Sequence, residues 1–346
     1  MKKIIAIVGA RPQFIKHSPI CLAFKNFFDL KTIHTGQHYD ERMSAVFFKE
    51  MNIPKPDYQL TIGSGSHGIQ TAAMLIEIEP ILEKEKPDWV LLYGDTNSTL
   101  SGALAAAKLH IPIAHIEAGL RSFNKKMPEE INRVVTDYCS TVLFCPSQTA
   151  VNNLEREGIT KNVFITGDVM LDMVELSKPH LKRLLPHPYY FATLHRPYNT
   201  DDPARLSAIL KTFNKLPHPV MLATHPRTKH FIEQYGMKTI DFQNIIFAEP
   251  QGYLESLSLQ FYSEYVLTDS GGIQKEAYFL RKPCITIRSE TEWVETLENN
   301  WNQLVWDDID SILDKINIKL GKYIEQIYGK GDAAIEIRDI LLKINA

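Results

Sequence analysis

Three carboxylates and one glycine pair have the types and spacing to carry chemistry in this 346-residue chain. Asp95, Glu117 and Glu129 each fall at or just beyond the end of a short apolar run. Acids gathered in one cleft repel one another, so one keeps its proton and serves as an acid while a neighbour serves as a base. Asp95 precedes Thr-Asn-Ser-Thr and would equally well cap a helix. Glu117, followed by Ala118-Gly119, has no obvious capping role, whereas Glu129 and Glu130 after Pro128 suit the first turn of a helix. The second constellation is Thr268-Asp269-Ser270-Gly271-Gly272-Ile273-Gln274-Lys275-Glu276-Ala277. It puts a Ser-Gly-Gly turn at a helix start, where free N–H groups face an anion and the glycines let a phosphate approach. Glu276 lies about one turn further on, within reach of ribose hydroxyls. The segment reads as a nucleotide-diphosphate cradle, although Asp and Ser also suit a plain capped helix. Arg11 and Lys16 offer positive charge from an opposite wall, while taken singly such residues are more often solvated cations. His195 and His225 end apolar runs, each beside an arginine and a proline.

Short β-rich runs alternate with helical patterns and predict the elements that must hold these residues. Residues 2–8, 30–35, 89–93, 112–116, 141–145 and 163–166 form one strand series, and 189–194, 220–224, 245–248, 265–268 and 284–287 a second. The expectation is an α/β protein of two parallel sheets: a first domain at 1–168, a linker at 169–188 holding an amphipathic helix candidate and the breakers Pro179, Pro186 and Pro188, and a second domain at 189–346 whose last helix packs back on the first. Loops at the carboxyl ends of buried parallel strands gather at one mouth, which places the candidate residues in a cleft between the domains.

Composition narrows the alternatives. The 38 basic residues nearly balance 41 acidic ones, for a formal net charge of -3, which argues against nucleic acid or anionic lipid as partner. No run approaches the ~18 apolar residues of a membrane span. Cys21, Cys139, Cys145 and Cys284 lack metal-ligand spacing and read as buried thiols in a reducing, cytoplasmic setting. The first strand leads into Gly9-Ala10-Arg11-Pro12 rather than G-x-G-x-x-G, which disfavours a dinucleotide cofactor. His34 and His38 are spaced like helical metal ligands, but the strand end at Gly36 argues against that use. His17, His67 and His110 read as structural or solvated.

With these loops assembled, the sequence resembles the non-hydrolysing UDP-N-acetylglucosamine 2-epimerase family across essentially its whole length. Eight ordered motifs carry the resemblance: GARPQFIK at Gly9–Lys16, TGQHYD at Thr35–Asp40, GDTNSTL at Gly94–Leu100, HIEAGLRS at His115–Ser122, MPEEINR at Met127–Arg133, LHRPYN at Leu194–Asn199, HPRT at His225–Thr228 and TDSGGIQKEA at Thr268–Ala277. The resemblance implies two Rossmann-like domains of the glycosyltransferase-B type, a UDP-sugar substrate and a homodimer. It implies work on surface polysaccharide precursors, such as those of lipopolysaccharide, and no metal or other cofactor. It also implies catalysis by Asp95, Glu117, Glu129 and His195 with Lys16 beside the phosphates, and substrate binding by Arg11, Arg133, His225, Pro250, Tyr253, Ser270, Gly271, Gly272, Glu276 and Arg288. In the implied mechanism a carboxylate removes the proton at sugar C2 while UDP departs, and UDP adds back after protonation on the other face. Domain closure would retain the glycal intermediate.

Two positions depart from the family pattern. Pro197-Tyr198 replaces the usual acid after His-Arg, and Trp293-Val294 stands where the common N-acetylglucosamine enzymes have Arg-Pro. The Trp-Val form, with GARPQFIK, looks like the branch acting on UDP-2,3-diacetamido-2,3-dideoxy-glucuronate. Tyr39-Asp40 differs from the bacterial form associated with allosteric activation by substrate. A glycosyltransferase of the same fold would need an acceptor site but no acids at C2, and a hydrolysing epimerase usually has a different first loop. A non-catalytic UDP-sugar sensor would have no use for the acids.

Overall fold

The computed structural model describes residues 1–37, 54–63 and 65–344. His38, Tyr39 and Asp40 of the second motif lie outside them. The chain divides into two compact units, Met1–Leu176 with Gln326–Ala346, and Ser177–Glu325. The division falls later than the expected boundary at 168, because a helix at Val169–Ser177 opens the presumed linker and belongs almost wholly to the first unit.

The first unit is a seven-stranded parallel sheet: β1 Lys3–Val8, β2 Asp29–His34, β3 Tyr58–Gln59, β4 Trp89–Tyr93, β5 Ile113–Ile116, β6 Val142–Cys145 and β7 Val163–Ile165, in the order β3-β2-β1-β4-β5-β6-β7. Helices α1 (Arg11–Phe24), α2 (His67–Glu85), α3 (Asn97–Lys108), α4 (Pro128–Cys139), α5 (Gln148–Arg156) and α6 (Val169–Ser177) connect or follow the strands. Central strands covered on both faces must be apolar throughout, and β4 is buried at every residue. Ile5, Ile7, Val90 and Leu92 pack one face of this sheet against Met74, Ile78 and Leu82 of α2 and Ala103 and Ala106 of α3.

The second unit repeats the pattern with six parallel strands: β8 Tyr190–Leu194, β9 Val220–Thr224, β10 Ile245–Ala248, β11 Val266–Thr268, β12 Cys284–Thr286 and β13 Asn302–Leu304, in the order β10-β9-β8-β11-β12-β13. Its helices include α7 (Pro197–Thr200), α8 (Pro203–Asn214), α9 (Pro226–Gln234), α10 (Tyr253–Tyr262) and α11 (Gly271–Phe279), with the short α12 (Ile312–Lys315) beyond β13. In both sheets the order reverses beside the first strand, between β1 and β4 and between β8 and β11. Loops leaving the strands diverge at such a switch point and open a crevice.

The last helix, α13 (Ala333–Lys343), packs against α1 in the first unit. Lys2 Nζ donates to the carbonyls of Leu341 (3.0 Å) and Ile344 (2.6 Å). At the other end of α13, buried Asp172 of α6 accepts the N–H groups of Ala333 (3.1 Å) and Ala334 (2.7 Å), which have no partner within the helix. Cys145 and Cys284 are buried, but Cys21 and Cys139 are only half-buried, correcting the expectation for those two. No helix among the described residues is long and apolar enough to cross a membrane.

Burial pushes the Asp172 carboxyl up to about 6 from 3.8, against the pull of the two N–H bonds. A carboxyl raised in the folded state stabilises while protonated, so its contribution is present below ~3.8 and is lost as pH rises through about 6. Asp172→Asn removes this loss. The stability of the variant relative to the wild type should therefore rise by up to about 3 kcal/mol between pH 4 and pH 7, measured by urea denaturation.

Candidate functional site

In the first unit the loops leaving β1 and β4 are tied together by Gln13, buried in the first turn of α1. Its Oε1 accepts the N–H groups of Gly9 (2.8 Å) and Ala10 (3.0 Å), and its Nε2 donates to the Tyr93 carbonyl (2.9 Å) and Thr99 Oγ1 (2.9 Å). The hydroxyls of Thr35 and Ser98 meet at 2.8 Å across Gly9. A Cβ on Gly9 would lie 2.1 Å from both, so only glycine fits.

On this platform stand Asp95 and Glu117. Thr96, not Asp95, caps α3, its hydroxyl accepting from Thr99 N at 3.3 Å. The Asp95 carboxylate is left to pair with Arg133 Nη2, while Arg133 Nη1 reaches Glu130 at 3.2 Å. Glu130 is anchored by the Ser122 N–H and hydroxyl and the Phe123 N–H, each at 2.9 Å. Asn132, beside Arg133 on α4, donates to the Asp95 carbonyl at 2.9 Å. Glu117 follows β5 with φ 69, a left-handed conformation that is strained for a residue with a side chain. Its carboxylate, buried, pairs with the equally buried Lys16 Nζ of α1. A Cβ at Gly94, φ 59, would come within 3.0 Å of that carboxylate, so the glycine leaves room for the pair.

Behind Glu117 runs a buried charged network. His115 Nε2 donates to the Gly94 carbonyl (2.8 Å) and its Nδ1 lies 2.7 Å from Asp137 Oδ1. Asp137 Oδ2 accepts from Gly119 N (3.1 Å) and Arg121 Nη1 (2.7 Å), and Arg121 grips Glu157 with two further N–H groups at 2.8 and 2.6 Å. Burial works against the Arg121 charge, but Glu157 and Asp137 more than offset it and hold the guanidinium above its ordinary value. The network fixes the backbone on both sides of the Glu117 loop.

In the second unit the reversal brings together the loops after β8 and β11. Asp269, with no exposed surface, accepts from His195 N (3.1 and 3.0 Å), Arg196 N (2.9 Å) and Asn199 Nδ2 (3.1 Å), and its Oδ1 is 2.9 Å from His195 Nδ1. Burial would raise the Asp269 carboxyl, but these bonds and the His195 charge outweigh it and hold it below its ordinary value. The His195 and His225 rings lie 5.6 Å apart between centroids. His225 caps α9, its Nδ1 accepting from Arg227 N at 3.1 Å.

Ser270 caps α11 by accepting from Ile273 N at 3.4 Å. Neither Gly271 nor Gly272 has a positive φ, and a Cβ there would meet nothing nearer than Arg288 Nη1 at 3.7 Å and Ser270 Oγ at 4.0 Å. The protein's own packing does not require these glycines, which leaves the space beside the helix start for a ligand. Arg288 stands at its edge, held by Glu292 through two bonds of 3.1 Å. Trp293 Nε1 lies 3.9 Å from the same Gly271 Cβ position, and Lys275 Nζ sits 3.9 Å above the centre of the Trp293 ring. Glu276 is buried, its Oε2 receiving Gln260 Nε2 at 2.7 Å. Pro250 is exposed just before α10, which begins at buried Tyr253.

The model of the UDP-N-acetylglucosamine 2-epimerase family matches residues 22–342. The chain belongs to this family. It is 49% identical over 357 residues to a UDP-2,3-diacetamido-2,3-dideoxy-D-glucuronate 2-epimerase from Pseudomonas aeruginosa, covering 99% of this chain and 100% of the relative. It is 44% identical to a UDP-N-acetylglucosamine 2-epimerase from Methanocaldococcus jannaschii, covering 92% of this chain and 93% of the relative. A crystal structure of the M. jannaschii UDP-GlcNAc 2-epimerase in complex with UDP-GlcNAc and UDP superposes with a TM-score of 0.88 at 43% identity, covering 98% of this chain and 99% of that one. The two Rossmann-like sheets are thus the glycosyltransferase-B-like fold of the epimerase family, and the protein is a UDP-sugar 2-epimerase, an isomerase.

From the sequence, three neighbouring acids are expected to repel one another. The structure instead gives Asp95 and Glu117 a cation each, Arg133 and Lys16. Glu129 is half-buried on the first turn of α4, one turn before Arg133, and its neighbour Glu130 is the acid that joins the buried pair. Arg11 occupies the first position of α1. Gln13, His115, Asp137 and Asp269 bind residues far along the chain, a pairing that no local sequence pattern shows.

Lys16→Met would strand the buried Glu117 carboxylate without its cation and should destabilise the fold by about 3–5 kcal/mol. Adding Glu117→Gln should restore most of that loss. Urea denaturation of the single and double variants measures both effects.

Proposed function

We propose that the protein is a non-hydrolysing UDP-N-acetylglucosamine 2-epimerase that interconverts UDP-GlcNAc and UDP-ManNAc. The observation that carries this reading is that Asp95 and Glu117, at the ends of neighbouring parallel strands, are each held in place by a separate cation. Positioned carboxylates are what abstraction and return of a C2 proton require.

The C2 proton is barely acidic, so its removal is coupled to departure of UDP from C1. A carboxylate among Asp95, Glu117 and Glu129 takes the proton, the C1–O bond breaks with its electron pair leaving on the diphosphate, and a C1–C2 double bond forms in a 2-acetamidoglucal. Protonation of C2 on the opposite face and re-addition of UDP oxygen to C1 give the epimer. The diphosphate gains charge as it leaves, and the start of α11 with Ser270, Gly271 and Gly272, the imidazoles of His195 and His225, and Arg11 are suited to stabilise it. In this reading Glu276, held by Gln260, accepts hydrogen bonds from the ribose hydroxyls, and Tyr253 and Pro250 border the base. Arg288 and Lys16 add positive charge, and Arg133 aligns Asp95. The chemistry is internal elimination and addition, with no net redox change.

A second reading, epimerisation of UDP-2,3-diacetamido-2,3-dideoxy-glucuronate by the same route, is favoured by the 49% identical Pseudomonas relative and by Trp293 at the edge of the cradle. Incubation with UDP-GlcNAc in D2O separates the two. Appearance of UDP-ManNAc carrying deuterium at C2 in the proton NMR spectrum is the expected result. Absence of both epimer and exchange, with exchange seen in the diacetamido-uronate, would transfer the assignment to the second sugar.

Gly271→Ala tests the cradle independently of the sugar. Because the added methyl meets no protein atom closer than 3.7 Å, the melting temperature should stay within about 2 °C of the wild type. UDP affinity, measured by calorimetry, should fall at least about tenfold, since the methyl enters the space reserved for phosphate.

A further inference from the structure

We propose that Asp269 is the positioning residue for His195, fixing the imidazole so that only Nε2 is presented to the departing diphosphate. The inference rests on the UDP-sugar epimerase reading and adds a residue to which that reading gives no role. Asp269 Oδ1 is 2.9 Å from His195 Nδ1, and the His195 side chain keeps 33% of its surface exposed while the carboxylate keeps none. The buried edge of the ring therefore carries Nδ1 and the open edge carries Nε2. A carboxylate acceptor requires a proton on Nδ1, so the ring cannot take the tautomer with its only proton on Nε2, and Nε2 donates to the diphosphate only in the imidazolium form, which the Asp269 carboxylate favours.

The carboxylate is itself over-determined. Besides the imidazole it accepts the N–H groups of His195 and Arg196 and the Asn199 amide. Asn199 also donates to the Ile287 carbonyl (3.0 Å) and accepts from Arg205 Nε (2.7 Å), whose guanidinium lies 4.1 Å from the centre of the Trp306 ring. Asp269 sits at the end of β11, directly beside β8 which ends at Leu194, so one side chain ties the His195 loop to the strand leading into the Ser270 cap. Those bonds remain low in energy with the carboxyl ionised, in line with its downward shift.

Tying two loops together would by itself be a structural role, so the test must separate that from action through His195. Asp269→Asn, His195→Asn and the double variant are compared in the full chain. The expected result is a fall in kcat of about 10²-fold or more for Asp269→Asn, with KM and UDP affinity within about threefold of the wild type. The double variant should be no slower than His195→Asn alone, because a residue acting only through the imidazole has nothing left to lose. Costs that multiply in the double variant, or an Asp269→Asn enzyme within about threefold of wild-type kcat, would overturn the proposal.

A second measurement stands apart from turnover and from the folding of any Asp269 variant. Two-dimensional 1H–15N correlation of the wild-type histidines, with His195 assigned from the His195→Asn spectrum, should show Nδ1 protonated. A His195 with its proton on Nε2 alone would refute the proposal even in an active enzyme. Should the wild type fail to epimerise or exchange either UDP-sugar, the epimerase reading falls while the nitrogen spectrum still decides the Asp269–His195 pair.

Discussion

One uncharged side chain, the Gln13 carboxamide, is the interaction on which the first unit's chemistry depends. Parallel sheets push the loops of their first and fourth strands apart at the switch point, and an open crevice has no backbone ladder of its own to hold it. Gln13 closes both loops with four hydrogen bonds from a single amide, two accepted and two donated. An amide satisfies both directions at once and adds no charge to a place where Lys16, Glu117 and Asp95 already concentrate it. The cost is spatial: with the amide in place, Thr35 and Ser98 close over Gly9 and leave no volume for a Cβ.

Charge is handled differently in the two units. In the first, the carboxylates around the site are given a cation or a share of one, from Lys16–Glu117 to the Asp137–Arg121–Glu157 chain, while Asp172 at the far helix has only N–H donors. Burying an unpaired charge costs several kcal/mol, so such pairs cannot be dismantled one member at a time. In the second, Asp269 is held mainly by N–H donors and one imidazole, and the cradle at Ser270 offers backbone dipoles with Arg288, itself paired with Glu292, at its edge. The first arrangement fixes the carboxylates to which the proposed mechanism gives the proton transfers. The second leaves room for an anion to arrive with its own charge.

The main elements were legible because central strands such as β4 are buried on both faces and read as unbroken apolar runs. Two of the edge strands were not: Tyr58–Gln59 is two residues long, and Asn302–Leu304 is mostly polar, its buried amides bonded to Gln274, Thr296 and the Lys315 carbonyl. The site loops were legible as motifs, since Gly94, Glu117 and Ser270 follow strands directly. What the sequence could not show was pairing across distance. Arg133 reaches Asp95 from 38 residues away, and Gln13 reaches Tyr93 from 80. The capping role offered to Asp95 belongs to Thr96, a difference of one residue that turns a helix cap into an acid free to meet an arginine. The division between the units lies at Ser177 because the helix at Val169–Ser177, which opens the segment before the prolines, belongs almost wholly to the first unit.

The return of α13 to the first unit sets an order on biosynthesis. Domains fold largely as they leave the ribosome, amino-terminal parts first. Here the second unit, Ser177–Glu325, is an insertion within the first, which lacks a helix until Ala333–Lys343 emerges. The partners that α13 will use, Asp172 and the Lys2 ammonium, therefore wait through the synthesis of a whole second unit. The unit that begins to form first is the last to be completed, and its exposed α1 face is the surface a nascent-chain chaperone would meet for longest.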